Sequence, residues 1–204
     1  MRAVIVTGGA MRDFACLRQF IRADDYIVAA DGGYRHAVAL GVTPNILVGD
    51  FDSLDELPDG IEIHCVPEDK DFTDTELALE YARKRGCSDF LFLGAIGSRM
   101  DHSLSNIFLL ADCLERGETA KLVDEHNCIW ITDSETEVHA PPGSILSLVP
   151  LCTCTGVTTE NLAYPLCDAT IYLGKARTVS NIVLATPARV SVASGQLLLM
   201  LCRD

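Results

Sequence analysis

Cations are scarce in this chain. Its 204 residues carry 16 Lys and Arg against 29 Asp and Glu, a formal net charge of -13. A nucleic-acid face needs clustered positive charge, so this balance argues against a nucleic-acid partner. It also repels a bare polyphosphate. A nucleotide would have to arrive with a divalent cation, whereas a cationic small molecule would be attracted outright. The nine cysteines are odd in number and form no Cys-x-x-Cys pair. Cys152-Thr153-Cys154 is the single close pair, and no His spacing completes a zinc site around it. The cysteines are expected to be small buried apolar residues in a reducing compartment. No apolar run reaches the ~20 residues of a membrane helix. Met1-Arg2-Ala3-Val4-Ile5-Val6 reads as a first strand, without the apolar core and cleavage site of a signal peptide. A cytoplasmic location is therefore expected. The standard phosphate signatures are missing too. Gly174-Lys175-Ala176 fails the P-loop pattern, and no Gly-x-Gly-x-x-Gly follows the first apolar run.

The chain does contain enough apolar residues, 49%, for a proper core. Its first half alternates short apolar runs with amphipathic stretches. Runs at 4–6, 26–30, 46–48, 61–66 and 90–93 read as strands, and segments near 13–22, 34–40, 73–85 and 101–116 as helices. Such alternation implies a parallel, helix-covered sheet. From about 119 the runs become short and β-rich, split by Pro141-Pro142-Gly143, Gly156, Gly174 and Ser194-Gly195. That spacing predicts antiparallel β. The expected organisation is an α/β domain over 1–118 and an all-β domain over 119–204.

Four turns of the first half share one design: glycine and aspartate after a strand or before a helix. They are Asp31-Gly32-Gly33, Gly49-Asp50-Phe51-Asp52, Asp69-Lys70-Asp71-Phe72-Thr73-Asp74 and the stretch from Gly94 through Gly97 and Arg99 to Asp101-His102. In a parallel sheet such turns fall on one edge, where open α/β sheets bind ligands. Asp50 and Asp52 would leave their strand on the same side, with Cβ atoms roughly 6.5 Å apart. Asp31, Asp50, Asp52, Asp71, Asp74 and Asp101 could thus converge, and six carboxylates at one rim call for a cation. Mg²⁺ suits oxygen ligands of this kind. Lys70 and Arg99 would hold phosphate oxygens, Arg99 bidentately. Gly94 and Gly97 would let backbone N–H groups approach a phosphate at a helix start. Plain capping is the competing explanation for Asp31, Thr73-x-x-Glu76, Asp74 and Asp101.

Taken together, these turns resemble the thiamine pyrophosphokinase family over nearly the whole chain. The motifs are Asp31-Gly32-Gly33, Pro44 to Ser53, Lys70 to Glu76 and Gly94 to His102, joined in the second half by Leu162-Ala163-Tyr164-Pro165-Leu166 and Thr178-Val179-Ser180-Asn181. The resemblance implies a Rossmann-like α/β domain followed by a β-sandwich. It also implies a homodimer with thiamine bound where the subunits meet. The implied activity moves a diphosphate group from ATP to the hydroxyl of thiamine and releases AMP. By the same resemblance Asp31, Asp50, Asp52 and Asp74 would serve Mg²⁺ and the phosphates, and Thr73 would lie beside the nucleotide. Gly32, Gly33, Lys70 and Asp71 stand within the same nucleotide motifs. Arg99 and Asp101 would face the substrates. Tyr164 would stack on thiamine, with Thr178, Ser180 and Asn181 near its pyrimidine. Departures from the family pattern are Ile96 and Ser98, often Thr and Gly, Asn161, commonly Gly, and Thr178, commonly Ser.

Two other readings stay open at this point. Asp50-Phe51-Asp52 imitates the Asp-x-Asp of haloacid-dehalogenase-type Mg²⁺ phosphohydrolases, although it follows the third apolar run and Leu54 stands where those enzymes place Thr or Val. A non-catalytic thiamine or nucleotide binder, with the acidic turns as caps, is the second.

Overall fold

The computed structural model describes residues 1–50, 60–65 and 72–203, and these fall into two compact units, Met1–Glu125 and His126–Asp204. The first unit runs β1 (Arg2–Val6), α1 (Phe14–Arg18), β2 (Tyr26–Ala30), α2 (Gly33–Ala39), β3 (Ile46–Gly49), β4 (Glu62–Cys65), α3 (Asp74–Lys84), β5 (Asp89–Leu93), α4 (Met100–Glu115) and β6 (Thr119–Val123). Its strands lie in the order β6-β5-β1-β2-β3-β4, and every neighbouring pair is parallel. Val4, Ile5, Val28, Leu47, Phe92 and Leu93 are wholly buried. Strands covered on both faces read as continuous apolar runs rather than alternating ones, as these do. The alternating run Glu62–Cys65 is instead exposed throughout and forms the edge strand.

The helices follow their apolar stripes. α3 buries Thr75, Ala78, Leu79 and Ala82, the i, i+3, i+4, i+7 face of a helix, against β1, β2 and β3. Thr73 caps it: its hydroxyl accepts from Glu76 N at 3.2 Å. Near its other end the Arg83 guanidinium forks onto Glu118 at 2.6–3.0 Å, tying α3 to the turn that leads into β6. α1 is shorter than the expected 13–22 segment, with Asp13 capping a helix that stops at Arg18.

Residues 119–123 depart from the antiparallel expectation. They form the sixth parallel strand, in register with β5 from Asp89↔Thr119 to Leu93↔Val123. A short apolar run shows that a strand exists but not which way its neighbour points, so the sequence grouped this one with the β-rich half.

The second unit comprises β7 (Asn127–Thr132), β8 (Thr136–Val138), β9 (Ile145–Pro150), β10 (Cys154–Glu160), β11 (Ala169–Ile171), β12 (Asn181–Ile182), β13 (Ala188–Ser191) and β14 (Leu197–Cys202). Its strands pair antiparallel, in the orders β12-β9-β14-β7 and β11-β10-β13-β8. One core gathers Leu146, Leu148, Val157, Leu162, Val190 and Leu199, with Trp130 packed against it. Among the described residues no helix is long and apolar enough to cross a membrane.

Candidate active site

Strand order decides where a site can form. The chain steps outward from β1 to β4 and then returns to place β5 on the opposite side of β1. Segments leaving β1 and β5 therefore part in opposite directions, which opens a crevice at the carboxyl edge of such a sheet. A cleft of about 750 Å³ opens there. That volume is within the range of small-molecule sites. One wall is Thr7, Gly8, Gly9 and Ala10 after β1, with Ala30 and Asp31 after β2. The start of α3 contributes Phe72, Thr73, Asp74 and Thr75. The segment from β5 into α4 adds Gly94, Ala95, Gly97, Ser98, Arg99, His102, Ser103 and Asn106.

The two central turns are laced together. Thr7 N donates to Leu93 O at 2.9 Å, Gly9 N to Gly94 O at 2.8 Å and Ala10 N to Ile96 O at 3.1 Å. The backbones approach so closely that a Cβ on Gly9 would lie 2.1 Å from Gly94 O. Gly94 takes φ 70°, and a Cβ there would lie 2.5 Å from Thr7 O. These are positions only glycine fits. Ile96 reaches Ala10 through its backbone carbonyl, so a change of side chain at 96 leaves that contact intact.

Of the residues singled out from sequence, Asp31, Thr73, Asp74, Gly94, Gly97 and Arg99 line this cleft. Gly32 and Gly33 stand just behind Asp31. Gly32 is the cap position of α2, so Asp31 is not its N-cap. Gly33 is a packing glycine, because a Cβ there would lie 2.0 Å from Val6 O. Asp50 follows β3 directly, beside β2, where Val48 registers with Ala30 and its carbonyl accepts from Asp31 N at 2.8 Å. Asp52, Lys70 and Asp71 lie outside the described residues. Thr7, Gly8, Gly9, Phe72, Ser103 and Asn106 were not foreseen. The signal for the first three was present: Thr7-Gly8-Gly9 ends its apolar run as Asp31-Gly32-Gly33 ends the next.

Arg99, and not Asp101, caps α4. Both side chains are exposed and pair with each other, Arg99 Nε donating to Asp101 Oδ1 at 3.2 Å. The Arg99 guanidinium, helped by the His102 backbone N–H, holds the Asp101 carboxyl down at about 2. Asp101 is therefore a carboxylate at every ordinary pH and a weak proton acceptor. Its ¹³C carboxyl resonance is expected to titrate near pH 2. In Arg99→Ala the midpoint moves up toward the ordinary aspartate range; an unmoved midpoint would refute this cause.

The donor set can be tested against a cation. Among the described residues no three Asp, Glu, His or Cys groups cluster as a ready cage. Asp31 and Asp74 on the cleft wall, with Asp50 at the neighbouring strand end, are nonetheless hard oxygen donors. Mg²⁺ commonly takes only one or two protein carboxylates, the rest of its shell being water and phosphate. The residues fit a cation carried in with a polyphosphate.

In the second unit, Tyr164 is 70% exposed although its backbone is pinned. The Asn181 amide donates to Tyr164 O at 2.8 Å and accepts from Tyr164 N at 3.0 Å. The Thr178 hydroxyl is buried and donates to Leu148 O at 2.6 Å. Ser180, at φ 60°, remains exposed, and its N–H donates to Ser147 Oγ at 2.9 Å. Asn161 also explains itself. It sits at φ 59°, a conformation suited to glycine and tolerated by asparagine, and its amide donates to Pro187 O at 2.8 Å.

Comparison with known proteins bears on this geometry. Residues 17–122 match the family model described as thiamin pyrophosphokinase, catalytic domain, and residues 132–197 match thiamin pyrophosphokinase, vitamin B1 binding domain. The chain belongs to the thiamin pyrophosphokinase family. It is 27% identical over 209 aligned positions to thiamine pyrophosphokinase of Bacillus subtilis strain 168, covering 98% of each chain. Its fold matches the crystal structure of thiamine pyrophosphokinase from Bacillus subtilis with a TM-score of 0.91 at 24% identity, covering 100% of both chains. The thiamin pyrophosphokinase of Geobacillus thermodenitrificans gives 0.87 at 26%, covering 100% of this chain and 98% of the other. Membership makes this chain an enzyme of ATP-dependent thiamine diphosphate formation. The haloacid-dehalogenase reading of Asp50-Phe51-Asp52 is thereby not favoured.

Proposed function

We propose that the cleft lined by the β1, β2 and β5 turns and the start of α3 receives ATP, and that the chain transfers a diphosphate group from it to the thiamine hydroxyl, releasing AMP. The observation that carries this reading is the cleft itself. It is lined by two glycine-bearing backbone turns, the carboxylates of Asp31 and Asp74, and Arg99. Phosphoryl chemistry of this kind rests mainly on alignment and charge stabilisation. Asp31, Asp50, Asp52 and Asp74 would hold Mg²⁺, which when bound offsets polyphosphate charge. Gly97 keeps the phosphate side free of a side chain, Gly33 and Gly94 let the turns pack closely behind it, Gly32 caps α2, Thr73 fixes the start of α3, and Lys70 and Asp71 would serve the same nucleotide.

Arg99 contacts transferring phosphate oxygens. Asp101, held near 2, orients the thiamine hydroxyl rather than removing its proton, since an effective base is poised near the working pH. Tyr164 supplies the aromatic face for thiamine, and Ser180 a polar contact. Thr178 and Asn181 act by holding the backbone around them. The first unit is the Rossmann-like nucleotide domain. The second is a β-sandwich that carries thiamine and joins two copies, with thiamine bound where the subunits meet. The enzyme works in the cytoplasm.

The test is product analysis by ³¹P NMR with Mg²⁺-ATP. AMP and thiamine diphosphate are expected together, and only when thiamine is present. Phosphate released without thiamine would make the protein a hydrolase. Mg²⁺-dependent ATP binding with no thiamine diphosphate would make it a binder.

A further inference from the structure

α4 buries Leu109, Leu110 and Cys113 on its inner face, yet its first two turns bury two polar residues, Ser103 and Asn106. They are 3% and 6% exposed and line the cleft. Burying polar groups is unfavourable unless hydrogen bonds compensate. Here they do. Asn106 Nδ2 donates to Ala95 O at 2.8 Å. Ser103 Oγ accepts from Gly97 N at 3.1 Å and lies 3.3 Å from Gly97 O and 3.1 Å from Arg99 O. Among the hydrogen bonds of the described residues, the one other side chain of α4 that reaches this loop is Asp101, which bonds the Arg99 side chain and not its backbone.

The neighbouring carbonyls are also engaged. Gly94 O accepts from Gly9 N at 2.8 Å, and Ile96 O from Ala10 N at 3.1 Å. Thr7 O faces His36 Nδ1 at 2.8 Å; a carbonyl only accepts, so Nδ1 carries the hydrogen. Every carbonyl named on the two turns is thus drawn into the protein. Carbonyl oxygens and phosphate oxygens are both negative, so a phosphate site needs carbonyls turned away from the anion. Gly94 and Ile96 are secured from the β1 turn, by the Gly9 and Ala10 N–H groups and, at Gly94, by the Thr7 hydroxyl as well. Ala95 and Gly97, which alternate with them, depend on side chains.

We infer that Ser103 and Asn106 are positioning residues for the nucleotide. They hold the Ala95 and Gly97 peptides in place, so that the loop before α4 presents an anion-compatible face and keeps Arg99 in reach. Neither touches the reacting atoms. The inference rests on reading the cleft as the ATP site.

The experiment is titration of Mg²⁺-ATP into the folded full-length chain by calorimetry, with steady-state kinetics for both substrates. Asn106→Ala and Ser103→Ala are each expected to weaken ATP binding tenfold or more while the KM for thiamine stays within twofold. Ser103→Thr, which keeps the hydroxyl, is expected to bind like the unaltered chain. A merely structural role would move both substrates together and track the loss of melting temperature, and that result would overturn the inference. Asp74→Asn serves as the reference for the cleft. Unchanged ATP affinity in Asn106→Ala and Ser103→Ala, alongside loss in Asp74→Asn, would overturn the positioning role alone. Unchanged affinity in Asp74→Asn would overturn the cleft reading and the inference with it. Should Asn106→Ala fail to fold, the contrast between Ser103→Ala and Ser103→Thr decides the matter.

Discussion

Asparagine at position 50 or 52 is expected to lower turnover about a thousandfold at saturating ATP and Mg²⁺, the scale seen when one preorganised electrostatic group is removed. That corresponds to roughly 4 kcal/mol of transition-state stabilisation. Asp50 leaves β3 at the strand edge that also carries Asp31, whose N–H is bound to Val48 O at 2.8 Å. Asn keeps the size and hydrogen-bonding shape of Asp and removes only its charge. The fold should therefore survive. Steady-state assay over a Mg²⁺ series, with circular dichroism to confirm folding, checks the result. Near-normal turnover in purified Asp52→Asn would remove the metal assignment.

Gly9→Ala should instead act on folding. The new methyl would lie 2.1 Å from Gly94 O and 2.7 Å from Ile96 O. Both are backbone atoms, so neither can swing aside as a flexible side chain would. Forced overpacking of this sort costs about 1–3 kcal/mol, occasionally more. The upper end is expected here, because separating the strands would also strain the Gly9–Gly94 and Ala10–Ile96 hydrogen bonds. Gly8→Ala is the contrast. Its methyl would meet nothing nearer than 3.6 Å, so stability should change by under ~0.5 kcal/mol. Chemical denaturation of the two variants separates them; equal midpoints would show that the two turns can part without cost.

Why some of this was readable and some was not follows from range. Val4-Ile5-Val6, Ile46-Leu47-Val48 and Phe90-Leu91-Phe92-Leu93 announce buried strands because both their faces are covered, and their turns announce an edge rich in Asp and Gly. The four-turn pattern also carried the family. Reading failed where meaning depended on a distant partner. Gly9 matters because Gly94, 85 positions later, runs against it, and a search for Gly-x-Gly-x-x-Gly passes over it. Ser103 and Asn106 look like ordinary polar helix residues until the loop they hold is seen. Thr136–Val138 and Cys154–Glu160 are strands rich in Thr and Glu that lack an apolar run. Thr178 and Asn181 look like ligand-facing polar residues, yet their side chains satisfy Leu148 O and the Tyr164 backbone.

That clasp on Tyr164 has a thermodynamic corollary. A ring on a loose loop must have its backbone ordered at the moment of capture, at about 1–2 kcal/mol per residue. At Tyr164 the main chain is already held on both its N–H and its C=O by one amide. Only the two side-chain torsions remain to be fixed, at about 0.5–1.5 kcal/mol. Most of the entropy loss of presenting a bare aromatic to solvent has been absorbed during folding, and Asn181 is where it was absorbed. Its loss would leave the ring in place chemically while making every encounter less favourable.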